Sequence, residues 1–272
     1  KLQIPVAHLE AGLRSYDEQM PEEINRVLTD RISDILLTPS LDANENLIKE
    51  GINPEKIHFV GNIMIDSLIR HQKKAELSDI FDKLTMSQDE SYALVTLHRP
   101  SNVDECDGLK MLLTSLIEIG KHIKIIFPMH PRTKKNIQNF GLSNYVNSSK
   151  NIIFTEPLGY FDFLKLEMNA KLILTDSGGV QEESTYFRVP CLTLRENTER
   201  PITISEGTNQ LVDLNVTSIV NKSLEITEGK VKKGKIPKHW DGKTAERVVM
   251  VLDKWFEERD KATDSTESTE KL

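Results

Sequence analysis

Reactive chemistry in this chain of 272 residues has to come from a few polar groups set at intervals along it. The first is His8-Leu-Glu10-Ala-Gly12-Leu-Arg14, after Ile4-Pro-Val6, which reads as the end of a strand. In open α/β sheets ligands bind outside the carboxyl ends of the strands. A carboxylate and a guanidinium on a glycine-containing loop there suit a ligand, and equally a surface ion pair. Pro21-Glu22-Glu23-Ile24-Asn25-Arg26 comes next. Proline in the first turn with acids beside it is what a helix start prefers. Ile24, Val27, Leu28 and Ile32 are spaced to give that helix its buried face. This accounts for Glu22 without chemistry. A second reading comes from its place twelve residues after Glu10, because two carboxylates converging on one site could move protons.

Leu97-His98-Arg99-Pro100 directly follows a strand at Tyr92–Thr96, and His130-Pro131-Arg132 ends the next strand in the same manner. Imidazole and guanidinium at a strand's carboxyl end can bind phosphate, although a single histidine is as readily structural. The strongest local signal is Leu174-Thr-Asp176-Ser177-Gly178-Gly179-Val-Gln-Glu-Glu183. A buried strand runs through Ser-Gly-Gly into a helix. The glycines let a ligand approach the backbone, and the helix start offers free N–H groups to a diphosphate. Glu183, about one turn on, could bond ribose hydroxyls; a plain glycine turn explains the same residues without a ligand. Arg195 to Arg200 add cations after the following strand. The seven histidines are scattered without metal-ligand spacing. Cys106 and Cys191 make no disulfide framework, and Cys191, inside an apolar strand, is a poor nucleophile.

The elements that position these residues alternate. Short apolar runs at 35–37, 57–60, 92–97, 124–127, 152–155, 172–174 and 191–194 are separated by amphipathic stretches, which predicts βα units and buried parallel strands. A helix is expected at Thr244–Arg259, followed by a polar, frayed tail at 260–272. Hydrophobic residues make up 38% and charged residues 28%, enough for a core. The formal charge of −7 argues against nucleic acid as a partner. No run approaches the ~20 apolar residues of a membrane helix. The chain begins with Lys1 and shows no signal-peptide pattern; it reads as a piece lacking an N-terminal part.

In this order, the motifs resemble those of the non-hydrolysing UDP-N-acetylglucosamine 2-epimerases. The matching pieces are His8 to Arg14, Pro21 to Arg26, Gly61-Asn62 with Asp66, His98-Arg-Pro100, His130-Pro131, Asp176 to Glu183 and Thr198-Glu-Arg-Pro201. The resemblance implies an α/β, GT-B-like fold, with two Rossmann-like parallel-sheet domains facing across a cleft and the first domain truncated at its N-terminus. Residues 1–66 would be the remainder of that domain, with the helix at 244–259 packing back on it, and 67–243 a UDP-binding domain. The implied activity interconverts UDP-GlcNAc and UDP-ManNAc through 2-acetamidoglucal and UDP, with no cofactor and no metal. By motif match Glu10, Glu22 and His98 are catalytic. Ser177, Gly178 and Gly179 hold diphosphate, Glu183 the ribose, and Arg14 and Arg200 the nucleotide sugar. Phe163 lies near the uracil, and Arg99 and His130 are positions for an allosteric ligand. The family implies a cytoplasmic homodimer that binds neither nucleic acid nor membrane.

Other readings stay open. The same fold hosts GT-B glycosyltransferases, and a hydrolysing relative releases free ManNAc and UDP. A further relative acts on diacetamido uronic acid nucleotides, which Gly12-Leu-Arg14 fits less well. The chain itself, lacking the family's first βαβ units, is expected to bind UDP without epimerising.

Overall fold

The computed structural model describes residues 4–18, 20–146 and 149–269; residues 270–272 of the expected tail lie outside them. Among the described residues the parallel strands are β1 (Ala7–Leu9), β2 (Ile35–Thr38), β3 (Ile57–Phe59), β4 (Tyr92–Thr96), β5 (Lys124–Pro128), β6 (Ile152–Thr155), β7 (Leu172–Thr175), β8 (Cys191–Thr193) and β9 (Asn209–Leu211). The first helices are α1 (Pro21–Ile32), α2 (Leu41–Lys49), α3 (Ile63–Glu76), α4 (Ile80–Lys83), α5 (Pro100–Val103) and α6 (Cys106–Gly120). They are followed by α7 (Pro131–Asn139), α8 (Ser143–Val146), α9 (Tyr160–Asn169), α10 (Gly178–Phe187), α11 (Pro201–Ser205), α12 (Val216–Thr227) and α13 (Thr244–Thr269). Two compact units result: residues 1–67 with 238–272, and residues 68–237. Among the described residues no helix is long and apolar enough to cross a membrane.

In the first unit the sheet order is β1-β2-β3. Side chains alternate across a strand, so β2 feeds two cores. Leu36 meets Ala11 and Leu47 of α2 on one face, while Ile35 and Leu37 meet Val248, Val251, Leu252 and Trp255 of α13 on the other. Three expectations are corrected here. The first strand runs through the motif, Ala7–Leu9, instead of ending at Val6, so Glu10 sits at its carboxyl end. The last helix continues past Arg259 to Thr269. The apolar stripe of α1 is turned outward: Ile24, Leu28 and Ile32 are 50%, 59% and 71% exposed, whereas Glu23 and Asp30 are buried. The helix faces its sheet with charge because three partners wait there for those carboxylates, namely His8, Arg14 and the Ser15–Tyr16 backbone.

The second unit holds one six-stranded sheet in the order β6-β5-β4-β7-β8-β9. Tyr92, Leu94, Ile126 and Ile173 point to one side, against Phe81 of α4, Leu166 of α9 and Val180 of α10. Val95, Ile125, Phe127, Leu172 and Leu174 point to the other, against α6 and α12. Both faces are covered, which is why these strands are continuous apolar runs. The strand order reverses between β4 and β7, one strand run leading away on each side. That reversal opens a crevice outside the carboxyl ends of β4 and β7, the place where doubly wound sheets take ligands.

Candidate functional site

The reversal point in the second unit brings together two motifs that lie far apart in sequence. β4 and β7 pair from Ala93↔Leu172 to Thr96↔Thr175, and the Thr96 and Thr175 hydroxyls bond each other at 2.6 Å. The chains then leave the sheet as Leu97-His98-Arg99 and Asp176-Ser177-Gly178. Asp176, fully buried, ties the two exits together. Its carboxylate accepts the backbone N–H of His98 (2.9 Å) and of Arg99 (2.9 Å), and the Asn102 side-chain amide (3.1 Å). It also lies 2.9 Å from His98 Nδ1. Burial opposes the Asp176 charge, and the hydrogen bonds from His98 and the backbone amides outweigh it, holding this carboxyl below the usual range. The pair places the His98 proton on Nδ1 and leaves Nε2 free on a ring that is 40% exposed. The His130 ring, at the end of β5, lies 5.7 Å from that of His98. His130 also caps α7, its Nδ1 accepting the Arg132 N–H at 3.2 Å.

Beside these residues Glu199 anchors three arginines. Arg200 Nη1 lies 2.7 Å and Arg99 Nη2 3.2 Å from Glu199 Oε1, and Arg195 Nη1 lies 2.8 Å from Oε2. Burial works against this carboxylate, but Arg200, Arg195 and Arg99 prevail and hold it down at about 2. Glu182 forms an ion pair with Arg200, its Oε1 2.9 Å from Nε. Three guanidinium groups thus cluster beside the start of α10, balanced by the carboxylates of Glu199, Glu182 and Asp176. There Ser177 is the N-cap and makes no side-chain cap, so the first-turn amides face outward as donors. The two glycines have separate reasons. A Cβ on Gly178 would stand 2.6 Å from Arg200 Nη1, whereas one on Gly179 would meet nothing within 4 Å. Gly178 lets Arg200 lie against the helix, and Gly179 leaves the approach to the amides open.

One turn further, Glu183 is 6% exposed and accepts the Tyr160 hydroxyl at 3.1 Å; burial raises its carboxyl. Phe163, on the same helix as Tyr160, is partly buried and packs against the apolar cluster of Phe81, Leu94 and Ile173. Among the residues to which the sequence assigns no role, Glu199 carries the most weight. The sequence shows it inside Thr198-Glu-Arg-Pro201, but not that the fold gathers Arg99, Arg195 and Arg200 on it.

In the first unit, Glu10 stands at the carboxyl end of β1 with a φ of 72°, and its amide donates to Leu37 O at 3.1 Å. Glu22 is exposed in the first turn of α1. Among the described residues no hydrogen bond or ion pair engages either carboxylate, so both stay available. Arg14 is placed differently from a ligand-binding group. It is 3% exposed, with Asp30 at 2.7 Å and Glu50 at 2.7 Å on its guanidinium. Burial would push it down, and the bonds from Glu50 and Asp30 more than offset this. Asp30, missed in the sequence, also takes His8 Nδ1 at 2.6 Å and the Gly12 N–H at 3.1 Å. Arg14 and Asp30 thus brace the loop that carries Glu10. Glu23 braces it from the other end, through the Ser15 and Tyr16 amides at 3.0 Å. Gly61 and Asp66 seat the C-terminal segment: a Cβ on Gly61 would stand 2.2 Å from His239 O, and Asp66 caps α13 through the Thr244 (3.1 Å) and Ala245 (2.8 Å) amides; Asn62 instead accepts the Met64 N–H at 2.9 Å.

Among the described residues no group of three or more His, Cys, Asp or Glu side chains could hold a metal ion. Cys106 is exposed and Cys191 buried, both unpaired, and burial pushes the Cys191 thiol up to about 12.

Comparison with known proteins adds a second line of information. The sequence profile of the UDP-N-acetylglucosamine 2-epimerase family matches residues 1–253. A UDP-N-acetylglucosamine 2-epimerase of Methanocaldococcus jannaschii is 48% identical over 258 residues, 93% of this chain and 69% of its own length. One from Methanococcus maripaludis is 49% identical over 225 residues, 81% of this chain and 62% of its own. The crystal structure of the M. jannaschii UDP-GlcNAc 2-epimerase in complex with UDP-GlcNAc and UDP is similar with a TM-score of 0.84 and 47% identity, covering 93% of this chain and 70% of that one. The chain therefore spans between 62% and 70% of the length of these relatives. The likeness puts its two parallel-sheet units in the GT-B-like fold class.

Proposed function

This chain belongs to the UDP-N-acetylglucosamine 2-epimerase family, and from that premise we propose that its protein interconverts UDP-GlcNAc and UDP-ManNAc. The observation that carries the reading is the reversal point of the second sheet. Asp176 fixes His98 beside an uncapped helix start and three arginines, a setting for a diphosphate that must leave and return. The C2–H of the sugar is too weak an acid to be removed without a driving event. Loss of UDP from C1 supplies it. A base takes the C2 proton, the C1–O bond breaks with its electrons going to the diphosphate, and a C1=C2 double bond remains in 2-acetamidoglucal. Return of a proton to the opposite face of C2, with UDP adding back at C1, gives the epimer and balances the reaction.

In this reading the first-turn amides of α10 at Gly178 and Gly179, the Ser177 hydroxyl and Arg200 hold the diphosphate as its charge develops. His98 presents Nε2 on the phosphate side, and Glu183 takes the ribose hydroxyls. Glu10 and Glu22 are the acid–base pair at C2, and Arg14 acts as a positioning residue for Glu10. The protein works in the cytoplasm, where nucleotide sugars are made, as a homodimer, a state that light scattering tests. The function is tested by incubating the protein with UDP-GlcNAc in deuterium oxide without an acceptor. UDP-ManNAc carrying deuterium at C2 is expected. Epimer that keeps its C2 proton would remove the elimination mechanism, and free ManNAc with UDP would point to the hydrolysing reaction.

A further inference from the structure

Glu167, on α9, has no part in the chemistry above, yet it is fully buried. Neither of its oxygens receives an N–H or O–H donor from any other described residue, and the carboxyl that it faces is that of Glu183. Among the described residues no lysine, arginine or histidine forms an ion pair with Glu167 or Glu183. The titratable groups around the pair are the Tyr160 hydroxyl, which donates to Glu183 at 3.1 Å, and the Cys191 thiol on β8. A bare carboxylate in such a place would go without cation or protein donor, and burial on that scale neutralises the group instead. Two carboxyls can bond each other only through a proton on one of them. The buried partner, with no other donor to stabilise its charge, is the one to keep it. Glu183, already receiving the Tyr160 hydroxyl and nearer to solvent, is the one to accept.

We propose that Glu167 is a protonated carboxylic acid that donates to Glu183, and so acts as a positioning residue that presents Glu183 as an ionised acceptor to the vicinal hydroxyls of the nucleotide's ribose. This rests on the ribose role given to Glu183 above. Burial raises both carboxyls: Glu167, with the charge of Glu183 added to its burial, is raised well above the ordinary value, while the bonds from Glu167 and Tyr160 oppose part of the rise at Glu183. The arrangement gives Glu183 two donors on the protein side.

Two measurements test it. The infrared difference spectrum between the wild-type protein and E167Q at neutral pH should show the C=O stretch of a protonated carboxylic acid present only in the wild type. Its absence overturns the proposal whatever the ligand data show. Titration calorimetry then compares UDP with 2′,3′-dideoxy-UDP. E167M, which keeps the volume but removes the donor, should weaken UDP by about tenfold, one lost charge-assisted hydrogen bond, and leave dideoxy-UDP unchanged. E167Q, whose amide can still donate, should stay within about threefold of wild type for UDP. Equal weakening of both nucleotides by E167M would make Glu167 merely structural and overturn its positioning role. If wild-type protein binds UDP and dideoxy-UDP equally, the ribose assignment of Glu183 fails, and the positioning role with it. The infrared band would then still decide the protonation of Glu167 by itself. Should E167M fail to fold, the infrared comparison and the E167Q affinities remain decisive.

Discussion

Replacing Asp176 by Asn tests the structural centre of the site with one atom. The carboxylate divides its work unevenly: Oδ2 accepts the His98 and Arg99 amides and the Asn102 side chain, while Oδ1 faces His98 Nδ1. An asparagine satisfies the larger set by placing its carbonyl at the Oδ2 position, so its NH2 must face His98 Nδ1. The histidine can accept only by moving its proton to Nε2. Three bonds to a charged acceptor become bonds to a neutral one, each losing roughly 1 kcal/mol. Removing a buried charge returns part of that, for a net cost of about 2 kcal/mol. In the unit of residues 68–237 this lowers Tm by roughly 4–8 °C. Both tryptophans, Trp240 and Trp255, belong to the other unit, so far-ultraviolet circular dichroism is the appropriate probe.

The pH dependence carries a sign. Asp176 titrates lower in the folded state than its unfolded value of ~3.9. Its contribution is complete above about pH 5 and is lost as the pH falls through the folded value. The stability gap between wild type and D176N should therefore be constant at neutral pH and close as the solution is acidified below about pH 4. Nitrogen NMR of the histidines should show His98 changing tautomer, and turnover should fall about 10²-fold from misplacement alone. An unchanged tautomer, or a gap that widens in acid, would refute the role given to Asp176.

Gly178→Ala pushes a methyl to 2.6 Å from the Arg200 guanidinium, and losing that one charged contact should weaken UDP about tenfold in calorimetry. Gly12→Ala adds a Cβ at a φ of +80°, 2.4 Å from Ala43 O; with backbone on the other side of the clash, it should destabilise the first unit by about 2 kcal/mol or more, read from Trp240 fluorescence. Glu10→Gln and Glu22→Gln should each lower turnover by about 10²-fold while UDP affinity holds; unchanged deuterium incorporation at C2 in both would return these residues to loop and helix-start roles. A thiol reagent at about pH 8 should label Cys106 and spare Cys191 until the chain is denatured, since only the former is exposed and the latter's thiol is held up at about 12.

What the sequence could and could not disclose follows from the range of the interactions involved. Strand and helix alternation is local, so the apolar runs marked β4, β5 and β7 close to their observed bounds, and Ser177-Gly178-Gly179 announced the start of α10. The strand order is not local. His98 and Asp176 lie 78 residues apart, and only the reversal between β4 and β7 turns two separate strand ends into one crevice. The helix α1 misled for a different reason. Its apolar period predicts the inward face wherever burial is driven by apolar area alone. Here a buried arginine had to be balanced, and Asp30 supplied the charge from α1, so electrostatic pairing set the rotation of the helix and left Ile24, Leu28 and Ile32 outside. The same logic hides Glu199 and Glu167. A carboxylate among three arginines and a carboxyl against another carboxyl look alike as letters in a sequence. One is forced to ionise and the other to keep its proton, and which neighbour each meets is decided by packing between elements that the chain brings together only when folded.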